Sequence, residues 1–274
     1  MSKQHTPIVI YHGPSVLDHA PIVVLATVSS TNTKTGPMVQ TWIMRADTAP
    51  TDASKQGLDG SVCGQCPRRH SLGGDCYVTI FQAPRSVWAA WDRSGRPDVN
   101  YHSHLARLSK AAQAHGLRLG SYGDPAAVPY DVWRNLIDDV KPRIHTGYTH
   151  QWAVMSAGVA VSLAATNTVE AGQWLHMDWC RRNLMASCDS GADLSAAILS
   201  GWRAFYARRP GQRLNVAAAM VECPATRLTK RLTCEQCGIC NGAQDRATRA
   251  SVYLDEHGAR SNAKHKRSTA LRVV

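Results

Sequence analysis

The sequence predicts an α/β fold, a partial or irregular TIM-like (β/α) barrel with cysteine-rich metal-binding loops. Three observations predict it. Short apolar, β-branched runs alternate with segments of helical period, the pattern of βα units around a parallel sheet. Polar residues collect where those runs end, as they do on the carboxyl-end rim of an α/β barrel. Seven of the nine cysteines fall into two tight groups.

The elements follow in order. Strands are expected at Ile22 to Val28 and Met38 to Met44, joined by the polar, Gly-ended loop SSTNTKTG. Lys34 and Thr35 there are candidates to hold an anion, but the loop lacks the glycine spacing of a phosphate-binding loop, so a hairpin connection is expected. A strand is expected at Tyr77 to Phe81, then a helix with Pro84 in its first turn and Val87, Trp88 and Trp91 inward. His102 to His115 repeats Leu105, Leu108 and Ala112, with Arg107 and Lys110 outward. Leu117 to Tyr122 is a strand running into Gly123, Asp124 and Pro125, and Pro129 precedes a helix carrying Val132, Trp133, Leu136, Ile137 and Val140.

Arg143 to Tyr148 is a strand running into Thr149 and His150. Trp152 to Trp179 divides at Thr166, Asn167 and Thr168 into an apolar half and a helical half, whose Trp174, Met177 and Trp179 are expected in the core. Leu184 to Ser187 runs into Asp189; Ser190 caps a helix with Leu194, Ala197 and Ile198 on one face, which Gly201 ends. Strands at Ala204 to Ala207 and Leu214 to Val221 follow, the second running into Cys223. Residues 1–258 then form one domain with a β-rich start and a cysteine cluster at 223–240, and 259–274 form a basic tail.

Composition bounds the class. The 274 residues are 44% hydrophobic, which excludes a disordered chain, and 31 Lys+Arg against 20 Asp+Glu leave a net charge of +11. That excess favours a polyanion, nucleic acid first; a basic solvated surface is the alternative. No run of 18 apolar residues offers a membrane span. The N-terminal MSKQHTPIVIYHGP shows no basic-then-apolar leader, so a reducing cytoplasmic setting is expected and disulfides are not.

The cysteines need another account. Cys223 is followed by Cys234, Cys237 and Cys240, an unbroken C-x2-C-x2-C. Such spacing wraps one segment around three corners of an iron–sulfur cluster, with Cys223 as fourth ligand; a closed zinc site is the alternative. Cys63, Cys66 and Cys76 form the second set, in VCGQCPRRHSLGGDCYV. With His70 it approaches a zinc knuckle; without it, three thiolates leave one iron of a cubane open. Arg68, Arg69 and His70 beside the set are expected to lower its thiol pKa values. Cys180 and Cys188 read as small buried hydrophobes. Arg118, inside an apolar strand, needs a buried partner, with Asp124 or a bound anion as candidates.

The segments YHGPSVLD, NTKTGPMVQTW, CGQCPRRH…CYV, RLGSYGDPAAVP, TGYTHQW, MASCDS and CPATRLTKRLTCEQCGIC together resemble a cysteine-rich family of phage-encoded proteins, over roughly Tyr11 to Gly242. More distantly, the loop ending in Cys76-Tyr77, the GDP after a strand and the cysteine-rich end are similar to phage proteins related to radical S-adenosylmethionine enzymes of the spore-photoproduct-lyase type. The resemblance implies a partial TIM-like barrel and one or two 4Fe-4S clusters. Cys63, Cys66 and Cys76 would hold a cluster that chelates S-adenosylmethionine, and Cys223, Cys234, Cys237 and Cys240 an auxiliary one. Here the first set is C-x2-C-x9-C, where those enzymes have C-x3-C-x2-C. The function expected is iron–sulfur, radical-type chemistry on nucleic acid or nucleotide, with Arg118, Asp124, Tyr148 and His150 lining the site. The competing expectation is a zinc-stabilised nucleic-acid-binding protein in which both sets are structural.

Overall fold

A computed structural model describes residues 7–166, 171–214, 219–227, 231–243 and 250–256. The chain is α/β, with one mixed and one wholly parallel sheet, five strands each. Strands β1 (Ile8–Pro14), β2 (Pro21–Thr27) and β3 (Val39–Arg45) are antiparallel neighbours; β4 (Leu117–Tyr122) and β5 (His145–Thr146) continue that sheet in parallel. Gly147 alone separates β5 from β6 (Tyr148–Thr149), which opens the second sheet. There the order is β6, β7 (Met185–Cys188), β8 (Ala204–Arg208), β10 (Ser251–Asp255) and β9 (Met220–Glu222), all parallel.

The strands form where the apolar runs stand. β2 buries Ile22 to Ala26 without a break, as a strand covered on both faces must. The covering helices include α3 (Ala83–Arg93), α4 (Leu105–His115) and α5 (Tyr130–Val140), after the short turns α1 (Pro50–Lys55) and α2 (Gly60–Cys63). Over the second sheet lie α6 (Trp152–Thr166), α7 (Ala171–Asn183) and α8 (Gly191–Leu199), and the short α9 (Cys234–Cys237) closes the list. The Ser190 hydroxyl accepts the Asp193 amide and so caps α8 as expected. Buried indoles fasten the layers while satisfying their own N–H groups: Trp133 donates to the Pro125 carbonyl and Trp152 to that of Ser187, both at 2.9 Å.

The structure departs from the sequence reading in several places. Tyr77 to Phe81 is not a strand: Tyr77 and Phe81 are largely exposed, Val78 and Ile80 pack on the core, and among the described residues no strand pairs with them. Strand β1 arises from IVIYHGP, and β10 from SVYLD beside the expected tail. Of the expected strand 214–221, Met220 and Val221 lie in β9, while 215–218 fall outside the described residues, as does the tail 259–274. In α7 Met177 and Cys180 face the core, but Trp174, one turn earlier, is 42% exposed.

His145, buried in β5, has a pKa pushed down to about 4 by burial, which a backbone hydrogen bond at Asn183 only partly opposes. The unfolded chain therefore takes up this proton first as pH falls from about 6.5. Stability fully present above that pH should be lost progressively toward pH 4, by up to about 3 kcal/mol. Urea unfolding across this window should show a shallower pH slope for His145→Asn than for the parent; equal slopes would remove His145 as the cause.

Candidate functional site

The first cysteine set is tied to the carboxyl end of β4 by one carboxylate. Asp124 stands one residue beyond the end of β4, after Gly123; its Oδ1 accepts the Ala126 amide at 3.0 Å, and its Oδ2 accepts the His150 amide at 2.8 Å and the Gln151 side chain at 3.2 Å. Its own amide donates to the Val62 carbonyl at 2.6 Å. Gln151 continues the link, donating to the Cys63 carbonyl and accepting the Gln65 amide, each at 3.1 Å. Residue 64 must be glycine: its φ is +53°, and a Cβ would sit 2.3 Å from the Gln151 amide oxygen. Burial pushes the Asp124 pKa up, against the hydrogen bonds it accepts.

Cys63, Cys66 and Cys76 come together here. Burial pushes the Cys63 thiol well up, and Cys66, Cys76, Asp59 and Asp124 push it the same way. The expected lowering by Arg68, Arg69 and His70 is not found at Cys63, and both guanidiniums are engaged by carboxylates. Arg69 pairs with Asp59 at 3.4 Å; Arg68 holds Asp189, Asp75 at 3.3 Å and Glu256 at 2.5 Å. His70 donates its Nε2–H to the Val78 carbonyl at 2.9 Å, so that nitrogen is not a metal ligand.

A relay of charge runs from this set to the second sheet. His150 Nε2 stands 3.9 Å from Cys66 Sγ and 3.1 Å from Asp189, which in turn binds Arg68. Burial favours the neutral ring, but Asp189 and Cys66 outweigh it and raise His150 to about 10. Burial likewise opposes ionisation of Asp189, yet His150 and Arg68 hold it at about 2. Beside this relay lies a cavity of about 570 Å³, lined by Arg68, Asp75, Asp189, Tyr206, Arg209 and Glu256 among others.

The second cysteine set lies against the other end of β4. The loop expected as a hairpin connection is one, joining the antiparallel β2 and β3, and it seats this set: the carbonyls of Lys34 and Thr35 accept the amides of Cys234 and Glu235 at 2.9 and 3.0 Å. Thr233 caps the Cys234–Cys237 turn in a complete capping box with Gln236, and Gly238 closes it in the left-handed conformation. The Cys223 amide donates to the Tyr253 carbonyl at 2.7 Å, and the Cys240 carbonyl accepts the Gly147 amide at 3.3 Å. The four thiols are mutual neighbours: Cys223 and Cys240 each feel Cys237, and Cys234 and Cys240 each feel Cys223. Burial pushes Cys240 up to about 12.

The four side chains expected to line one site therefore divide. Asp124 and His150 belong with Cys63, Cys66 and Cys76. Arg118 and Tyr148 face the second set: the Arg118 guanidinium donates to the Tyr77 hydroxyl at 2.9 Å and acts on Cys234, and Tyr148 hydrogen-bonds Cys240. Asp124 is not the partner of Arg118, since its oxygens are taken by Ala126, His150 and Gln151. Cys180 and Cys188 are buried thiols, as expected, raised by burial. Sequence reasoning missed Gln151, Asp75 and Glu256; Gln151 beside His150 and Asp75 beside Cys76 carried a local signal, and Glu256 did not.

Among the described residues no group of three or more His, Cys, Asp or Glu side chains is already arranged to hold a metal ion, and no helix is long and apolar enough to cross a membrane. No family model, curated protein or solved structure matches the chain.

Arg68, with a side chain 21% exposed, pairs with Asp75, Asp189 and Glu256 at once. Arg68→Met should cost about 3–5 kcal/mol at neutral pH, because three carboxylates lose their common partner. Denaturant unfolding of the full chain reads this directly, and a loss below about 1 kcal/mol would show the cluster to be solvated.

Proposed function

We propose that the chain is a thiolate metalloprotein of the cytoplasm, an iron–sulfur protein on a partial TIM-like (β/α) barrel that acts on nucleic acid or nucleotide. One observation carries this reading: seven of the nine cysteines fall into two sets, each close in sequence and with thiols that act on one another, one set at each end of β4, while the remaining two are ordinary buried thiols. Free thiols gain nothing from such company. Each raises its neighbour's proton affinity, and soft metals are the partners that reverse this.

The donor chemistry fits a closed centre at Cys223, Cys234, Cys237 and Cys240. It also fits a three-thiolate centre at Cys63, Cys66 and Cys76. When bound, a cluster with one open iron at the latter supplies electron-transfer chemistry to a ligand such as S-adenosylmethionine, in keeping with the resemblance to phage-encoded radical enzymes. The chain's own residues set its surroundings: His150 places a protonated ring beside Cys66, and Asp124 with Gln151 fixes the loop. The charge of +11 supports a polyanionic substrate.

A second reading is favoured by the tight Cys234–Cys237 turn closed by Gly238, which has the form of a zinc knuckle. Zinc there would make the set structural and the protein a nucleic-acid binder.

Oxygen-free purification followed by counts of iron, sulfide and zinc separates the readings. The proposal expects iron and sulfide with visible absorption. Cys237→Ser/Cys240→Ser should remove one centre's share, and Cys63→Ser/Cys66→Ser the other's. Zinc alone would establish the second reading, and a metal-free chain would end both.

A further inference from the structure

We propose that Arg118 is the fixed counter-charge of a net-anionic metal centre held by Cys223, Cys234, Cys237 and Cys240, with Tyr77 as the outer hydrogen-bond partner that keeps its guanidinium in place. This deepens the reading of those cysteines given above and rests on it.

Arg118 projects from β4 and is 9% exposed. A guanidinium so far from water needs negative charge or a full set of acceptors. It has neither among the described residues. One nitrogen donates to the Tyr77 hydroxyl at 2.9 Å, the Nε is buried without a hydrogen-bond partner, and no carboxylate pairs with it. The groups whose charge it feels are the Tyr77 and Tyr148 phenols and the Cys234 thiol. Phenols and protonated thiols carry no charge near neutral pH.

The contrast with Arg68 shows what is missing. Arg68 is also withdrawn from water, and three carboxylates answer it. What stands in that place for Arg118 is the second cysteine set, on which its charge already acts through Cys234. Four thiolates around Zn²⁺, or around a [4Fe–4S]²⁺ core, leave a net charge of two minus. A buried cation beside such a centre offsets part of that charge, and the centre in turn supplies the anion that the cation lacks. Tyr77 is 73% exposed while its hydroxyl reaches inward, so the pair closes this part of the interior with a residue that directly follows Cys76 of the other set.

The test uses the full chain, purified without oxygen, in a Cys63→Ser/Cys66→Ser background so that only the second set binds metal. Metal release to a chromophoric chelator is measured for this parent, Arg118→Met, Arg118→Lys and Tyr77→Phe; if the metal is iron, the midpoint potential is measured as well. Arg118→Met should release metal at least tenfold more readily, or show a more negative potential, because the reduced cluster loses a stabilising positive charge. Arg118→Lys should stay within about threefold of the parent, and Tyr77→Phe should shift less than Arg118→Met in the same direction. A folded Arg118→Met with unchanged retention and potential overturns the inference. If that variant does not fold, a folded Arg118→Lys that loses metal more than tenfold does so. A parent that binds no metal overturns the underlying reading instead.

Discussion

A guanidinium withdrawn from water needs negative charge or a full set of acceptors, and Arg68 and Arg118 meet that need differently. Arg68 is held by Asp75, Asp189 and Glu256, which belong to three separate parts of the chain. The cluster pins the first cysteine loop to the start of α8 and to the end of β10. Arg118 has a phenol and a set of thiols. The first solution is complete within the protein; the second is complete only in the proposed state, with the thiols as thiolates on a metal.

The fold supplies the frame for both. Because β4 lies between β3 and β5, both its ends are surrounded by neighbouring connections, and each end receives one cysteine set. At the carboxyl end Asp124 replaces water for two backbone amides and one side-chain amide at once, so the loop carrying Cys63 and the segment carrying His150 cannot move independently. At the amino end the hairpin between β2 and β3 supplies the carbonyls that seat α9. Neither set is part of a sheet, yet both are referred to one strand.

Much of this was legible in the residues. The apolar runs of β2, β3, β4 and β7 are legible as strands buried on both faces, and proline and serine mark helix starts at Pro84, Pro129 and Ser190. Tyr77 to Phe81 has the composition of a strand but no partner, and composition does not supply partners. The insertion of β10 between β8 and β9 is likewise a pairing fact. Cysteine spacing gave the grouping into four, three and two. It gave no hint that Glu256, 188 positions from Arg68, would complete the carboxylate cluster, or that Asp124 and Arg118 would stand at different sets. Those are consequences of chain crossings, which local pattern does not encode.

The central claim is that the two sets are thiolate centres inside an α/β frame. X-ray absorption at the metal edge of the oxygen-free, full-length protein tests it most directly. The account predicts a first shell of sulfur alone for the centre left in a Cys63→Ser/Cys66→Ser chain, at about 2.3 Å if the metal is zinc. A shell of nitrogen and oxygen, or a chain that retains no metal, would contradict it.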